Sequence, residues 1–303
     1  MKRPVFQNSP SGLKFIISLI VVLISFFILL FAGTLFFTIF FDHSAFAHLD
    51  QYSYIDASNP LNIAFMKTSQ IFQSLGLFIV PGFIIAFLFS SKPAGYLGFK
   101  NKVNYQILLL AGLVMVLALP FINFTAEINK QISFPESLKW LETYLQNSEN
   151  RAGEITKIFL STNSFTGFLV NLFMMALIPA FGEEIMFRGL IQQSLTKKMN
   201  VHLAIFLSAF IFSAVHMQFY GFIPRFLMGA YFGYIFYITG NLWYTVFAHF
   251  VNNGLAVFIA YIWGYEATET DVDTPYFYVF LSALLVAVSI FAIIKIHKTN
   301  KSL

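Results

Sequence analysis

Long runs of apolar residues, separated by shorter polar stretches, make up most of this chain. A helix that crosses a bilayer needs roughly 20 consecutive apolar residues, so each run is long enough to form one. The pattern predicts eight spans: Phe15–Phe41, Phe65–Phe89, Val103–Phe124, Phe165–Leu190, Leu203–Tyr220, Phe222–Ile238, Leu242–Trp263 and Tyr276–Ile296. The first run exceeds the roughly 7–15 apolar residues of a secretory signal, so we predict that it is an uncleaved span.

The composition is that of a protein solvated mainly by lipid. Of its 303 residues, 58% are hydrophobic and 11% are charged, whereas soluble domains average about 45–50% apolar and about 25% charged residues. The net charge is only +4 and the basic residues are scattered, so nucleic acid is not a predicted partner. The absence of cysteine excludes thiol catalysis and thiolate metal sites. We predict one all-α polytopic membrane domain over residues 1–303, in a membrane of the cytoplasmic or inner type.

The charged residues are distributed unevenly between the two sets of loops. Basic residues precede span one and follow spans two, four and eight: Lys2, Arg3, Lys14, Lys92, Lys100, Lys102, Lys197, Lys198, Lys295, Lys298 and Lys301. Most of the acidic residues follow spans one, three and seven: Asp42, Asp50, Asp56, Glu127, Glu136, Glu142, Glu149, Glu154, Glu266, Glu269, Asp271 and Asp273. Because loops rich in Lys and Arg stay in the cytoplasm, both termini are predicted to be cytoplasmic.

The longest polar stretch, residues 125–162, is predicted to hold an amphipathic helix on the extracytoplasmic surface. Ser133 followed by Glu136 resembles a capping box at the start of a helix. Leucines then recur at helical spacing. Two interpretations remain open, a solvated helix without a function of its own and a lid over a functional site.

The two remaining acids, Glu183 and Glu184, lie inside the fourth predicted span. A carboxylate at membrane depth costs about 2.5–3.5 kcal/mol, so each needs a polar partner. Glu184 and Arg188 are four residues apart and can pair on one helix face. Glu183 is rotated from that face by about 100° and needs a different partner.

Two histidines complete the inventory of polar groups at membrane depth. Of the six histidines, only His216 and His249 lie well within predicted spans. Asn253 follows His249 by one helical turn and Asn252 lies near the same face, so spacing does not choose between the two amides. His216 is counted about eight residues, or roughly 12 Å, deeper than His249. The rings can meet if the fifth span is tilted, starts deeper, or folds back near Gly221.

These groups suit the hydrolysis of a carbonyl compound. A carboxylate with a histidine partner can deprotonate water, and a second histidine with an amide can donate hydrogen bonds to the oxyanion that forms. Glu183, His216 and His249 are also of the right types to bind zinc and leave its fourth position open. Gly229-x-x-x-Gly233 is predicted only to allow close helix packing.

Three motifs at these positions resemble those of the CAAX prenyl endopeptidase and bacteriocin-processing (CPBP, Abi) family: Glu183-Glu184-x-x-x-Arg188, Phe212-x-x-x-His216 and His249-x-x-x-Asn253. The resemblance is clear over residues 179–253, and it places the catalytic core spans within residues 160–260. It implies a bundle of about eight transmembrane helices around an intramembrane cavity. The implied activity is that of an intramembrane endopeptidase, a hydrolase.

The resemblance also implies a role for each motif residue. Glu183 and His216 would activate water, His249 and Asn253 would hold the oxyanion, and Glu184 and Arg188 would support them. Members of the family are described both as metalloproteases and as metal-independent enzymes, so zinc stays open as a cofactor.

Members of the family cleave prenylated CAAX proteins or act in bacteriocin maturation or immunity. The partners implied are therefore a membrane-associated or prenylated peptide or protein, together with the lipid bilayer. Two further function classes stay open. A proton-coupled transporter would also place Glu and His at membrane depth, and a non-catalytic scaffold or immunity protein would use only the surfaces of the bundle.

Overall fold

The computed structural model describes residues 4–52, 55–268 and 274–302, and the regular structure within these ranges is helical. The longer helices are α1 (Ser11–Phe40), α2 (Pro60–Phe89), α3 (Pro93–Leu97), α4 (Tyr105–Leu117), α5 (Leu119–Lys130), α6 (Lys139–Leu160), α7 (Phe165–Leu195), α8 (Val201–Ala214), α9 (Phe222–Thr239), α10 (Leu242–Trp263) and α11 (Tyr276–Ser302). Short 3₁₀ turns lie at Ala45–Ala47, Leu49–Tyr52, Glu136–Leu138, Phe219–Gly221 and Tyr265–Thr268.

The helices identify an all-helical, multi-pass membrane protein. Within the described residues, five helices (α1, α2, α7, α10 and α11) are long and apolar enough to cross a membrane. The pair α4 and α5, bent by 46°, makes a sixth if it counts as one span. The count of eight spans and the cytoplasmic side of the termini stay predictions. Lys2, Arg3, Glu269, Asp271 and Asp273, which contribute to the predicted orientation, lie outside the described residues, as does the side chain of Lys301.

The fifth predicted span is shorter than the sequence suggested. Helix α8 ends at Ala214 rather than near Tyr220, and its 14 residues extend about 21 Å, less than the roughly 30 Å of a hydrocarbon core. The chain then reverses through a turn at residues 215–221, where Met217 adopts a positive φ of 53°, and it returns as α9, which packs along α8. The prediction that His216 lies inside a span is therefore wrong, because it lies in this turn.

The predicted start of the amphipathic helix also differs. Residues 125–130 belong to α5, and α6 begins only at Lys139, after the 3₁₀ turn. No side-chain hydrogen bond caps either the turn or α6, so Ser133 is not the capping residue. Pro135 has an extended backbone (φ −63°, ψ 156°), which keeps Ser133 away from the first helical turn.

Two helices depart from regular α geometry. Helix α2 contains a π-helical turn at Leu75–Ile79, and α7 contains two, at Leu172–Leu177 and Ile185–Gln192. In α7 they flank the segment Ile178–Glu184 on both sides. π turns are rare and occur frequently at functional sites, where the wider turn redirects neighbouring side chains.

One end of the bundle is fixed by contacts between loops. The turn after α3 has Gly98 at φ 93°, and the carbonyl oxygen of Gly98 accepts a hydrogen bond from the backbone N–H of Leu242 at 2.9 Å. This contact positions the start of α10. Lys14 lies over the ring of Phe89 at this end, and basic loop residues gather there as well. They include Lys100, which donates to the Thr239 carbonyl, and Lys197, which lies over the Tyr96 ring.

Candidate active site

Glu184 is the centre of a buried polar cluster that starts on α7. Its side chain is 0% exposed, and its Oε1 atom accepts a hydrogen bond from Arg188 Nη1 at 2.7 Å. The same oxygen accepts one from Nδ1 of His249, on α10, at 3.0 Å. Arg188 Nη2 donates to the carbonyl oxygen of Gly229, on α9, at 2.9 Å. The i, i+4 pair that the spacing predicts is present, and the cluster ties three helices together.

Phe212 and Phe232 form apolar walls around this cluster. The guanidinium carbon of Arg188 lies 4.7 Å from the centre of the Phe212 ring and 5.2 Å from that of Phe232. His249 stacks on Phe232, with ring centres 5.1 Å apart and planes at 22°. Such contacts stabilise a desolvated guanidinium. Phe212 therefore connects two motifs, because it precedes His216 by one helical turn and also packs against the arginine of the first motif.

Glu183 lies beside the cluster but outside its hydrogen bonds. Its Oε2 atom is 3.9 Å from Nε2 of His249, and 13% of its side chain is exposed. Since Nδ1 of His249 faces Glu184, the opposite ring nitrogen faces Glu183. Of the two adjacent carboxylates, Glu183 is thus the one that keeps some exposed surface.

His216 is held in a defined orientation within the turn. Its Nδ1 atom lies 2.8 Å from the carbonyl oxygen of Phe212. A carbonyl oxygen only accepts, so Nδ1 carries the hydrogen, and the lone pair of the neutral ring lies on Nε2. The rings of His216 and His249 both pack against Phe212, with centres 5.3 and 5.9 Å from it. The chain reversal before α9 thus brings the two histidines to a similar depth, although within the described residues no hydrogen bond joins His216 to Glu183.

Asn253 is held at the wall of a cavity by a carbonyl group of α7. Its Nδ2 atom donates to the carbonyl oxygen of Met175 at 3.3 Å. In a regular α-helix that carbonyl would bond the N–H of residue 179, which is Pro179 and has none. Asn252 donates from Nδ2 to Oδ1 of Asn253 at 3.0 Å. The two amides therefore act as a connected pair, with the second hydrogen of Asn253 Nδ2 left for another acceptor.

The glycines of α9 allow close helix packing, and their carbonyl groups also accept hydrogen bonds from α7. An added Cβ at Gly233 would lie 2.8 Å from a methyl group of Ile205, so the close approach of α8 requires glycine there. The carbonyl oxygen of Gly233 also accepts a hydrogen bond from Gln192 Nε2 at 2.9 Å, as that of Gly229 does from Arg188. Gln192 was not among the predicted site residues, although its position four residues after Arg188 was a signal.

Asn129 of α5 is a second residue that sequence analysis missed. Its side chain is buried (1% exposed), and its Nδ2 atom donates to the carbonyl oxygen of Phe219 at 2.7 Å. Its Oδ1 atom accepts from the backbone N–H of Ile223, also at 2.7 Å. These two bonds clamp the turn that carries His216. Nothing in the sequence links residues some 90 positions apart, so the contact was not predictable from it.

A cavity of about 1080 Å³ opens beside Asn253, which is the only one of the predicted site residues, all within the described ranges, that lines it. It is enclosed by α5, α6, α7, α9, α10 and the turn that carries His216. Its wall includes Met175, Asn252, Asn253 and Met228 close to the candidate site, and a row of α6 residues on the opposite side. Helix α6 therefore forms one wall of the cavity, and both interpretations of this helix, a lid and a solvated helix without a function of its own, stay open.

The predicted zinc ligands are not arranged as a metal site. In the part of the chain that the structure describes, no three His, Asp or Glu side chains come close enough together to hold a metal ion. The Nδ1 atoms of His216 and His249 are bound by the Phe212 carbonyl and by Glu184, which leaves Nε2 of each ring as the nitrogen that could bind a metal. Zinc therefore stays a prediction for this site.

The comparisons with known proteins agree with the motif assignment. Residues 165–255 match a family model described as type II CAAX prenyl endopeptidase Rce1-like. This range contains all three motifs, and the match confirms the family resemblance that they indicate. No curated protein and no solved structure matches the chain.

Proposed function

We propose that this protein is an intramembrane endopeptidase that hydrolyses a peptide bond of a membrane-associated or lipidated peptide. The observation that carries the proposal is the difference in surroundings between two adjacent carboxylates. Glu184 is enclosed and bound by Arg188 and His249, whereas Glu183 is partly accessible beside the same histidine. The match of residues 165–255 to a CAAX endopeptidase model supports the same class of activity.

In the proposed reaction, a water molecule is activated between Glu183 and His216. The proton of the water passes to this pair, for which Nε2 of His216 provides a lone pair. The water oxygen bonds to the carbonyl carbon of the peptide and forms a tetrahedral oxyanion. When the carbon–nitrogen bond breaks, the same proton passes to the leaving amine. Water is the only co-reactant.

The oxyanion would be held by His249 and Asn253. With hydrogen on both ring nitrogens, His249 donates from Nδ1 to Glu184 and has Nε2 as a donor on the side of Glu183. Asn253 has one amide hydrogen beyond its bond to Met175. Donors that are fixed before the reaction stabilise the developing charge without reorganisation. Glu184 and Arg188 act here as positioning residues.

A lipidated substrate is favoured by a second cavity. It has a volume of about 400 Å³, its lining from α4, α5, α9 and α11 is almost entirely apolar, and it shares Ile122, Pro224 and Met228 with the larger cavity. An apolar chain can occupy it while the attached peptide lies in the polar cavity. Prenylated peptides are therefore the first substrates to test.

The proposed topology has eight spans with both termini in the cytoplasm. It requires that α8 and α9 each count as a crossing, although the 14 residues of α8 are fewer than the roughly 20 that a full crossing needs. Both ends of the chain lie at the end of the bundle where basic loop residues gather. The N–H of Phe6 bonds the carbonyl of Leu88, and Ile293 and Ile296 pack with Val103 and Ile107. Helix α6 then lies on the extracytoplasmic side.

The test is cleavage of a mixed library of plain and farnesylated peptides by purified protein in liposomes, followed by mass spectrometry. Wild-type protein should release products, and Glu183→Gln should release almost none. Glu154→Gln, which changes a carboxylate at the cavity wall, should cleave like wild type. A parallel reaction with a chelator tests the metal prediction. Undiminished cleavage by Glu183→Gln would refute the proposed role of Glu183.

A further inference from the structure

Arg225 is a cationic side chain in the wall of the larger cavity that the proposed mechanism does not use. It lies in the first turn of α9, directly after the turn that carries His216. Its Nη1 atom donates to Oε1 of Gln218 at 2.8 Å, and its Nη2 atom donates to the backbone carbonyl of the same residue. Gln218 also lines the cavity. The guanidinium is therefore held at a fixed position on the cavity wall.

The charge of Arg225 is not neutralised by a direct partner. Within residues 4–52, 55–268 and 274–302, no carboxylate forms an ion pair with it, and both hydrogen-bond acceptors are neutral oxygens of Gln218. The carboxylate of Glu149 on α6 interacts with it only at longer range and accepts a hydrogen bond from the backbone N–H of Tyr220. A guanidinium at membrane depth without a paired anion is costly. Arg188, by contrast, has Glu184.

The chain leaves room for this guanidinium because residue 221 is a glycine. A Cβ at Gly221 would lie 2.9 Å from the central carbon and from both terminal nitrogens of Arg225, so only glycine accommodates the observed position. Two of the five N–H groups of the side chain are used by Gln218, and Nε is buried, so the second hydrogens of Nη1 and Nη2 remain for a ligand in the cavity. The planar fork of a guanidinium is suited to bind a carboxylate with the remaining donors. Asn253 shares the same cavity wall.

We propose that Arg225 binds a carboxylate of the peptide ligand and thereby sets the direction in which the peptide lies in the cavity. This inference rests on the proposed function for the identity of the ligand as a peptide. Two peptide carboxylates share the required chemistry, the free C-terminus and the side chain of Asp or Glu. A ligand held at Arg225 extends along the wall toward Asn253 and places an internal peptide bond near Glu183, whose carboxylate lies within electrostatic range of the guanidinium.

The experiment measures binding rather than cleavage, with full-length Glu183→Gln protein in nanodiscs. Farnesylated and plain peptides are each synthesised as a free acid and as a C-terminal amide, and a second set exchanges internal Glu for Gln. Retained peptides are quantified by mass spectrometry. A charge-assisted interaction predicts a preference of roughly tenfold to hundredfold for the carboxylate over its neutral partner. The set in which the preference occurs identifies the source of the carboxylate.

Further variants in the same background assign the preference to Arg225. Arg225→Gln should abolish the preference, Arg225→Lys should keep part of it, and Gly221→Ala should weaken it by displacing the guanidinium. Lys130→Gln removes another cation of the same cavity wall and should leave the preference unchanged. The folded state of each variant is checked by size-exclusion chromatography. If Arg225→Gln does not fold, the two single variants Arg225→Lys and Gly221→Ala test whether the preference depends on Arg225.

Two results would overturn this inference. One is that the Glu183→Gln protein retains each carboxylate peptide and its neutral counterpart equally, or retains neither of them. The other is an equal loss of both peptides in the Arg225 variants, which would show that Arg225 only supports the turn. A preference for carboxylates in the absence of cleavage by wild-type protein would refute the proposed peptidase instead, so the two proposals fail separately.

Discussion

Glu183 and Glu184 are neighbours in sequence, but their side chains have different surroundings. Glu184 receives hydrogen bonds from Arg188 and His249 and has no exposed surface. Glu183 has no hydrogen bond within the described residues and retains some exposure. Two residues that face about 100° apart on one helix can thus serve separate purposes. We infer that Glu184 positions the site and that Glu183 takes part in the proposed reaction.

Removal of Arg188 should destabilise the protein. Arg188→Ala leaves Glu184 buried with one of its two hydrogen-bond donors and removes the link to the Gly229 carbonyl. Breaking a buried ion pair in this way typically costs about 3–5 kcal/mol. We expect a lower melting temperature and a lower folded yield in detergent. Arg151→Ala, which changes an exposed arginine of α6, is the matched control and should melt like wild type; an equally stable Arg188→Ala variant would contradict the account.

At this scale, the sequence carried much of the information about the site. The spacing of Glu184 and Arg188 was sufficient to predict their pair, whereas the hydrogen bond from His249 to Glu184 was not predicted. The orientation of His216 was not predictable, since it depends on where α8 ends and on the Phe212 carbonyl. The role of Arg225 in the cavity wall was not predictable either, because its neighbours come from the turn and from α6.

At the scale of elements, the hairpin of α8 and α9 determines where His216 lies. The two helices approach closely because Gly233 has no side chain toward Ile205. Gln192 and Arg188 of α7 then bond to carbonyl groups on the same face of α9. The spacing of the glycine pair was sufficient to predict close helix packing. The hydrogen bonds that the same short stretch accepts from α7 were not predictable, because they depend on the relative position of two helices.

Widening this hairpin should lower stability. In Gly233→Ala the new methyl group would lie 2.8 Å from Ile205 and 2.9 Å from the Gln192 side chain, so both must shift. Such overpacking typically costs about 1–3 kcal/mol. Thermal unfolding in detergent measures the effect. Gly12→Ala in α1, where nothing lies within 4 Å, is the control and should be neutral or slightly stabilising; equal melting temperatures for the two variants would show that the close approach is not required.

The turn that carries His216 should loosen when its clamp is removed. Asn129→Leu has nearly the same shape as Asn129 but loses the bonds to Phe219 and Ile223. Two hydrogen bonds of roughly 1 kcal/mol each predict an increase of about tenfold or more in hydrogen exchange of the turn. Exchange of the amides over residues 215–223, measured by mass spectrometry, tests this. Asn129→Asp keeps the acceptor for the Ile223 N–H and should have a smaller effect, whereas unchanged exchange in both variants would contradict the clamp.

For the whole molecule, composition and apolar runs were enough to predict an all-helical membrane protein. All eight predicted segments overlap helices in the structure. The lengths of α8 and of the bent pair α4–α5 were not predictable, because hydropathy does not reveal where a helix ends inside the bundle. The cavity beneath α6 was not predictable either, since its walls come from segments far apart in the chain.

The proposed orientation can be tested with introduced cysteines, since the chain has none of its own. Lys92→Cys lies in the loop after α2, and Asn147→Cys lies on the exposed face of α6. A membrane-impermeant maleimide should label Asn147→Cys on intact cells and should label Lys92→Cys only after the cells are opened. The reverse pattern would place α6 and the mouth of the cavity on the cytoplasmic side.

The most direct measurement compares Glu183→Gln with Glu184→Gln for both cleavage rate and melting temperature. The peptide that wild-type protein cleaves fastest serves as substrate, and both quantities are measured on the same preparations. We predict that Glu183→Gln melts close to wild type but cleaves roughly 10²–10⁴-fold more slowly. Glu184→Gln should have a clearly lower melting temperature, because it leaves Arg188 buried without its anion. A Glu183→Gln protein that cleaves at the wild-type rate would contradict the central claim.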